Sequence, residues 1–482
     1  MDFSNTYVKL PSHFYARQDP IPVLNPELVV FNERLASELG VTIPESERAR
    51  YFSGNQMLRG SEPIALAYAG HQFGHFVPSL GDGRALLLGE IRSPSGYCYD
   101  VQLKGSGRTP YSRQGDGRAA LGPMIREYIV SEAMHALGIP TTRALAVAKT
   151  GEMLLRDTVQ PGAILTRIAS SHIRVGTFEY FAARHEVDSV RTLADYAIAR
   201  HFPYLKHCAT IYLAFLLAVL EKQASLIAHW MALGFIHGVM NTDNMAISGE
   251  TIDYGPCAFL DEYDPHKKFS SIDHHGRYAF SNQAAIALWN IQQLYYAIAP
   301  LIDKDTTQLS PSFLARRFWN SYEHTYSSLM LQKIGLFSKH TSSDKDIVGN
   351  LLDIMHRENL DFTLTFRSLV HSLQNRTSRL NAFCQSSKPF TQWLTLWHHR
   401  LRKEPLPLED IAVKMENINP AIIPRNHLIE KAINMALLNN DFSYTHALVN
   451  ACTQPYQETD ASLPFMQPPQ PDERVYVTFC GT

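Results

Sequence analysis

The sequence predicts an α+β protein of two lobes, a small β-rich N-terminal lobe followed by a larger, mainly helical C-terminal lobe. Three observations carry that expectation. The chain has 482 residues, too many for one compact core. Two strand-like stretches, "RALLLGEI" and "YCYDVQLKG", flank the turn "RSPSG" and read as a β-hairpin. Beyond residue 280 almost every segment places apolar residues at helical spacing.

Residues 1–80 read as an N-terminal extension packing on the core, with a short helical pattern in "PELVVFNERLASELG". Residues 81–160 read as the small lobe. It opens on "GDGR", runs through the hairpin to Lys104 and continues in a Gly- and Arg-rich loop, "GSGRTPYSRQGDGRAALG". The helix "PMIREYIVSEAMHALG" starts at Pro123, whose missing N–H costs nothing in a first turn, and stops at Gly138. Two more strands are expected in "TTRALAVAKTG" and "EMLLRD".

Residues 161–300 read as the lobe that carries the chemistry. "GAILTRIASSHIRVGTFEYFAARH" is strand, loop and helix, and 190 to 234 is helical. A loop at 237–244 is followed by two short strands, "MAISG" and "TIDYG". Residues 301–482 read as a helical extension ending in a cysteine-bearing tail.

Composition excludes several classes. Hydrophobic residues are 45% and charged residues 19%, which suits a folded chain. Lys plus Arg is 44 against 46 acids, a net charge of -2 that gives no reason to expect nucleic-acid or membrane-surface partners. Six scattered cysteines form no C-x-x-C pair, and the first twenty residues have no apolar leader core. The apolar run "IYLAFLLAVL" is stopped by Glu221 and Lys222, too short for a bilayer, and reads as a buried helix. A soluble cytoplasmic protein is expected.

The loop "HGVMNTDN" has the His-to-Asn spacing of a protein-kinase catalytic loop, His237 to Asn244. A D-x-G follows at Asp253 to Gly255. An amide oxygen and a carboxylate are hard ligands of the kind Mg²⁺ takes, so Asn244 and Asp253 are the candidate metal ligands. The position of the kinase base is Val239, which cannot accept a proton. Either the neighbouring Asp243 is the base from a shifted position, or the protein only binds nucleotide. A turn capped by Asp243 and Asn244 explains the same residues without chemistry.

Lys104 ends its strand as a phosphate-pairing lysine does. Helical periodicity puts Glu132 on the apolar face beside Ile125 and Ile129, and turns Glu127 away, so periodicity favours Glu132 as the lysine's partner. Gly81 and Gly83, then Gly115 and Gly117, form two glycine pairs, each followed by an arginine, Arg84 and Arg118; such turns let backbone N–H groups approach phosphate. Arg167 and Arg174 are two helical turns apart if their stretch is helical, and arginine clamps phosphate. His71 and His75 in "HQFGH" lack the glutamate of a zinc helix, and Gly74 argues against helix; these, and "DHHGRY", read as structural or substrate-lining residues.

Long stretches, among them "YAGHQFGHF", "LKGSGRTPYSRQGDGRAALGPMIREYIVSEAMHALGIPTTRAL", "LTRIASSHIRVGTFEYF" and "GFIHGVMNTDNMAISGETIDYGPCAFLD", resemble the selenoprotein O family. The resemblance implies a protein-kinase-like bilobal fold that transfers AMP from ATP to Ser, Thr or Tyr hydroxyls of proteins, with ATP reversed and pyrophosphate released. It assigns the lysine's ion-pair partner to Glu127, against the periodicity. Gly81, Gly83, Arg84, Asp116, Gly117, Arg167 and Arg174 fall on ATP-contacting positions, Asp243 on the base, and Asn244 and Asp253 on the ligands of Mg²⁺ or Mn²⁺; Asp253 also contacts ATP. No residue visibly reads the base of the nucleotide, which leaves UTP open as a donor. The family's terminal redox residue falls on Cys480. The cysteine that members often carry before "GRY" is absent here, and Cys257 is the nearest. The other readings are a kinase and a non-catalytic ATP-binding scaffold.

Overall fold

The computed structural model describes residues 1–302, 310–338, 341–374 and 387–478. Cys480 lies outside these residues.

The N-terminal part supplies β1 (Tyr15–Arg17), β2 (Glu27–Phe31), α1 (Glu33–Leu39), α2 (Glu45–Phe52), β3 (Ile64–Leu66) and the pair β4 (Gly70–Gln72) and β5 (His75–Val77). Then come β6 (Ala85–Arg92), β7 (Cys98–Lys104), the short β8 (Ala119–Ala120), α3 (Leu121–Ala136), β9 (Arg143–Leu155) and β10 (Val159–Ala169). The sheet order is β1-β3-β6-β7-β10-β9-β2, with β8 on β10 and every paired strand antiparallel. Residues 1–80 therefore give three strands to the same sheet.

The expected hairpin forms, with Leu86 opposite Leu103 and Arg92 opposite Cys98. β7 is central, flanked by β6 and β10, so Lys104 ends a strand covered on both edges. The two strands expected in 141–156 are one. β9 pairs with β10 from Arg143 to Leu155, and a register shift between Pro161 and Ala163 absorbs the irregularity that breaks the sequence pattern.

α3 starts at Leu121, two residues before Pro123, and every residue from Met124 to Met134 is buried. It lies between β9 and β10 on one side and two C-terminal helices on the other. A helix covered all round has no solvent face for periodicity to find.

The chain continues through α4 (Val175–Ala182), α5 (Val187–His201), α6 (Ile211–Leu233), β11 (Phe235–Ile236), β12 (Ala258–Phe259) and α7 (Gln283–Ile298). α6 is long and apolar enough to cross a membrane by length and composition, with half of its apolar window buried inside the protein. It packs on α7 and on α8 (Pro311–Lys333). The two strands expected after the motif loop do not form. Ala246 and Thr251 each make a single bridge, to Arg174 and Thr141. The regular pairing is instead β11 with β12, which closes the base of the loop.

Then follow α9 (Ser342–Glu358), α10 (Phe362–Leu373), α11 (Lys388–Leu401), α12 (Leu408–Glu416), α13 (Asn426–Asn439), α14 (Ser443–Cys452) and α15 (Leu463–Met466). α13 and α14 reach back onto α3. One apolar core runs from α3 through the helices; a second fills the space between the sheet and α1 and α2, around Leu35, Phe52, Val101 and Leu145.

Candidate active site

The loop 237–244 leaves β11 with its histidine turned inward. His237 Nε2–H donates to the Ile252 carbonyl at 2.8 Å, and the ring stacks on Trp230 with centroids 5.3 Å apart. Burial lowers its pKa, so the ring is a neutral strut. Its bond fixes the residue before Asp253, which adopts a left-handed φ of +65°. A non-glycine residue in that region stores strain and is over-determined by its surroundings.

Those surroundings are ionic. Asp253 accepts from Arg167 at 2.6 Å and Lys104 at 3.1 Å, and lies 3.7 Å from Arg174. Lys104 Nζ donates to Glu127 at 2.6 Å, and Arg167 Nη2 to Glu127 at 2.5 Å. Burial alone raises both carboxyls; the Arg167 and Lys104 charges more than offset it and hold Glu127 and Asp253 below the carboxylate range. Glu127 is thus the lysine's partner. The periodicity choice, Glu132, is corrected: it bonds Arg143 at 2.7 Å and Asn32 at 2.7 Å, bracing α3 against β9 and α1. Arg167 and Arg174 are not on one helix. Arg167 is on β10 and Arg174 caps α4, and strand and cap converge on Asp253.

Asp243 sits in a short helical turn, Thr242–Asn244. Burial pushes its pKa up to about 7, the Arg174 charge pulling the other way. Its Oδ1 is buried and has no protein partner. Arg174 holds the loop backbone by donating to the Asp243 carbonyl at 3.0 Å. Asn244 Nδ2 donates to the Val239 carbonyl at 3.0 Å, which fixes the amide plane and leaves its oxygen uncommitted.

Two adjoining cavities meet at these residues. One, of about 380 Å³, is lined by Lys104, Arg167, Arg174, Asp243, Asn244 and Asp253. The other, of about 600 Å³, is lined by Gly81, Gly115, Asp116, Gly117 and the arginines 108, 113, 118 and 156. Gly83, Arg84, Tyr68 and Asp243 face both. Asp116 is tied to Arg156 at 2.9 Å and accepts from the Arg118 N–H at 2.9 Å, which shapes the glycine loop. Glu127 lies outside the cavity walls, behind Lys104, and Glu132, His71 and His75 line neither cavity.

Sequence reasoning does not find the clamp on the loop. Phe73 and Gly74, both at positive φ, make the two-residue turn of the β4–β5 hairpin, so "HQFGH" is not a helix. His71 Nδ1 meets Glu179 at 2.6 Å, Glu179 accepts from the Thr242 hydroxyl at 2.5 Å, and that hydroxyl accepts from the His71 N–H at 2.7 Å. Asn241 Oδ1 accepts from the Phe73 N–H at 3.0 Å and the Tyr278 hydroxyl at 2.6 Å. Asp273 accepts from the N–H groups of Arg277 and Tyr278, so "DHHGRY" serves the same anchorage. Tyr68 lies under Arg174, 4.4 Å from the ring centroid. A tyrosine or threonine alone gives no local signal of such a role.

Among the described residues no group of three His, Cys, Asp or Glu is arranged to hold a metal. A site with one carboxylate and one amide oxygen fits Mg²⁺, which takes few protein ligands and completes its shell with phosphate and water.

The family model for protein adenylyltransferase SelO matches residues 1–453. The chain belongs to the SelO family. It is 51% identical over its whole length to the protein nucleotidyltransferase YdiU of Rhizobium meliloti, covering 99% of that protein. It is 52% identical to the YdiU of Maridesulfovibrio salexigens, again over the whole chain and 98% of the relative. The YdiU of a Bradyrhizobium species is 50% identical over the whole chain and 99% of the relative. The SelO match runs across both cavities and the clamp.

Proposed function

We propose that the two cavities hold ATP and that Asp243 directs its AMP onto a Ser, Thr or Tyr hydroxyl of a protein. The chain is a protein nucleotidyltransferase of the SelO family. The observation that carries the specific reading is Asp243, a buried carboxylate with a bare oxygen at the junction of the cavities. A base with a pKa near 7 is matched to taking a hydroxyl proton at neutral pH.

Lys104, Arg167 and Arg174 place three cations against two ionised carboxylates, leaving positive charge for the phosphates. Arg84 and the glycine turns extend that field into the second cavity. Asn244 and Asp253 would hold Mg²⁺ or Mn²⁺, and such a cation would offset charge developing on the phosphate and the departing pyrophosphate. Asp243 takes the acceptor's proton, the α-phosphorus gains the new oxygen bond, and the bond to pyrophosphate breaks. UTP remains a second donor to test.

The same observations support a protein-kinase-like arrangement of two lobes. The Lys104–Glu127 pair joins sheet to helix, and His237, Asn244 and Asp253 keep their kinase spacing. In this reading 81–160 is the small lobe, 161–300 the catalytic lobe, and the flanking segments are extensions, in a soluble cytoplasmic protein.

ATP labelled at the α or the γ position tests the function. Transfer of α-label to protein, abolished in Asp243→Ala with ATP binding retained, is the expected result. Transfer of γ-label alone would make the chain a kinase, and binding without transfer a scaffold. Asn244→Ala should lower the metal-dependent rate.

A further inference from the structure

A third cavity, of about 960 Å³, adjoins the two ATP-facing ones. It is bounded by the start of α3, the end of β9, α13 and the segment 474–478. Val239, Pro256 and Ile272 line both this groove and the catalytic cavity, so it opens onto the metal-binding residues.

Four of its apolar side chains stand exposed. Leu155 is 78% exposed, Tyr476 63%, Ile272 58% and Val477 45%. Exposed apolar side chains gathered in one groove mark a contact surface. Its arginines are already paired: Arg126 with Glu430, Arg156 with Asp116, Arg474 with Glu262. A charged ligand would find little free charge there.

One wall is backbone. Thr478 is pinned on three sides: its N–H donates to Phe269 O at 2.8 Å, its hydroxyl to Pro256 O at 2.9 Å, and its carbonyl accepts from the Ser271 N–H at 3.3 Å. Beside this anchor, residues 475–477 make no backbone hydrogen bond to any described residue. A stretch whose N–H and C=O groups bond to no described residue can offer them to a bound chain as a sheet edge does.

We propose that this groove binds the acceptor polypeptide, as an extended segment with apolar side chains on either side of its hydroxyl residue. The proposal rests on the AMP-transfer reading, which requires a protein hydroxyl to reach Asp243. The acceptor backbone pairs along 475–477, its apolar side chains pack on Leu155, Tyr476 and Val477, and its hydroxyl passes Val239 and Pro256 to the base.

The probe is a fluorescein-labelled dodecapeptide with a central Thr, Leu and Val around it and Lys at its ends. A control carries Asn and Ser in place of Leu and Val. Fluorescence anisotropy with the full chain should show the apolar peptide binding at least about tenfold tighter than the control. Leu155→Asp and Tyr476→Asp should each weaken it by about tenfold, with ATP affinity by calorimetry unchanged. Equal binding of the two peptides, or no loss in either variant, would overturn the groove. So would a tenfold gain on removing residues 479–482, which would give the groove to the chain's own tail. A dimer in light scattering that Leu155→Asp dissolves would give it to a second copy, and would overturn the acceptor groove as well. Peptide binding that depends on the groove, with no α-label transferred to any protein, sinks the transfer reading alone. Transfer that proceeds equally in both groove variants sinks the groove alone.

Discussion

At Asp243 burial and charge act against each other, and burial wins: the carboxyl is pushed up to about 7 although Arg174 is close. Asp243→Asn keeps the shape and removes the proposed base. Label transfer should fall by about 10²- to 10⁴-fold while calorimetry finds ATP binding unchanged. A rate within threefold of the parent would move the base elsewhere. Lys333 is a second buried titrating group, with its ammonium 4.5 Å from the Phe366 ring centroid. Burial pushes its pKa down to about 7 from an ordinary value of 10.5. Between those two values the unfolded chain holds a proton that the folded chain lacks, so stability rises with pH across that window. Urea unfolding should show a slope of roughly 1 kcal/mol per pH unit from pH 7.5 to 9.5. Lys333→Met should flatten that slope and stabilise the protein at pH 7. An unchanged slope would show that the lysine stays charged when folded.

The β4–β5 hairpin is the element that holds the catalytic loop. Gly70 packs so closely on Asp243 that a Cβ there would meet the carboxylate. Gly70→Ala should therefore push Asp243 aside and, with Asp243 as the proposed base, lower kcat by about tenfold or more with ATP affinity kept, since small misplacements of catalytic groups are costly. Equal loss of kcat and of ATP binding would instead point to a collapsed site. Elements differ in how readable they are. The late helices are legible because each has one wet face and one dry one, and the β6–β7 hairpin because two short strand-like runs flank a Pro- and Gly-bearing turn, although β6 is buried on both faces. α3 misleads because it has no wet face, and the choice between Glu127 and Glu132 depends on finding one. The segment after the loop reads as two strands because it is apolar; its apolar residues are buried by tertiary contact and not by pairing. The spacing of His237, Asn244 and Asp253 is legible because it is local. The clamp of His71, Glu179 and Thr242 is not, because it joins three distant stretches through common residue types.

On the scale of the molecule, the C-terminal helices are bound to the catalytic part by ions as well as by apolar packing. Arg425, at the head of α13, is buried between Asp361, at 2.8 Å, and Asp261. Arg425→Met leaves two partly buried carboxylates without their cation. The expected loss is about 3–5 kcal/mol in urea unfolding at pH 8. It should shrink as the pH is lowered, because burial raises the pKa of the Asp361 carboxyl and its protonation removes the orphaned charge. A loss below about 1 kcal/mol would show that the ion pair adds little to the join. A strand-rich part followed by a mainly helical part is legible in the order of strand and helix patterns. That α13 and α14 return to cover α3, and that residues before 80 supply strands of the main sheet, is not, since long-range pairing leaves no mark on local sequence.

The short bridge between Ser270 and Thr478 also fixes an order of events during synthesis. Translation adds about 5–20 residues per second, so the wall at 474–478 leaves the ribosome about ten to fifty seconds after Asp243. During that interval a nascent chain can form its ATP-facing residues with no completed berth for an acceptor. If the groove holds the acceptor, transfer waits until 474–478 has been made and Thr478 has docked on Phe269 and Pro256.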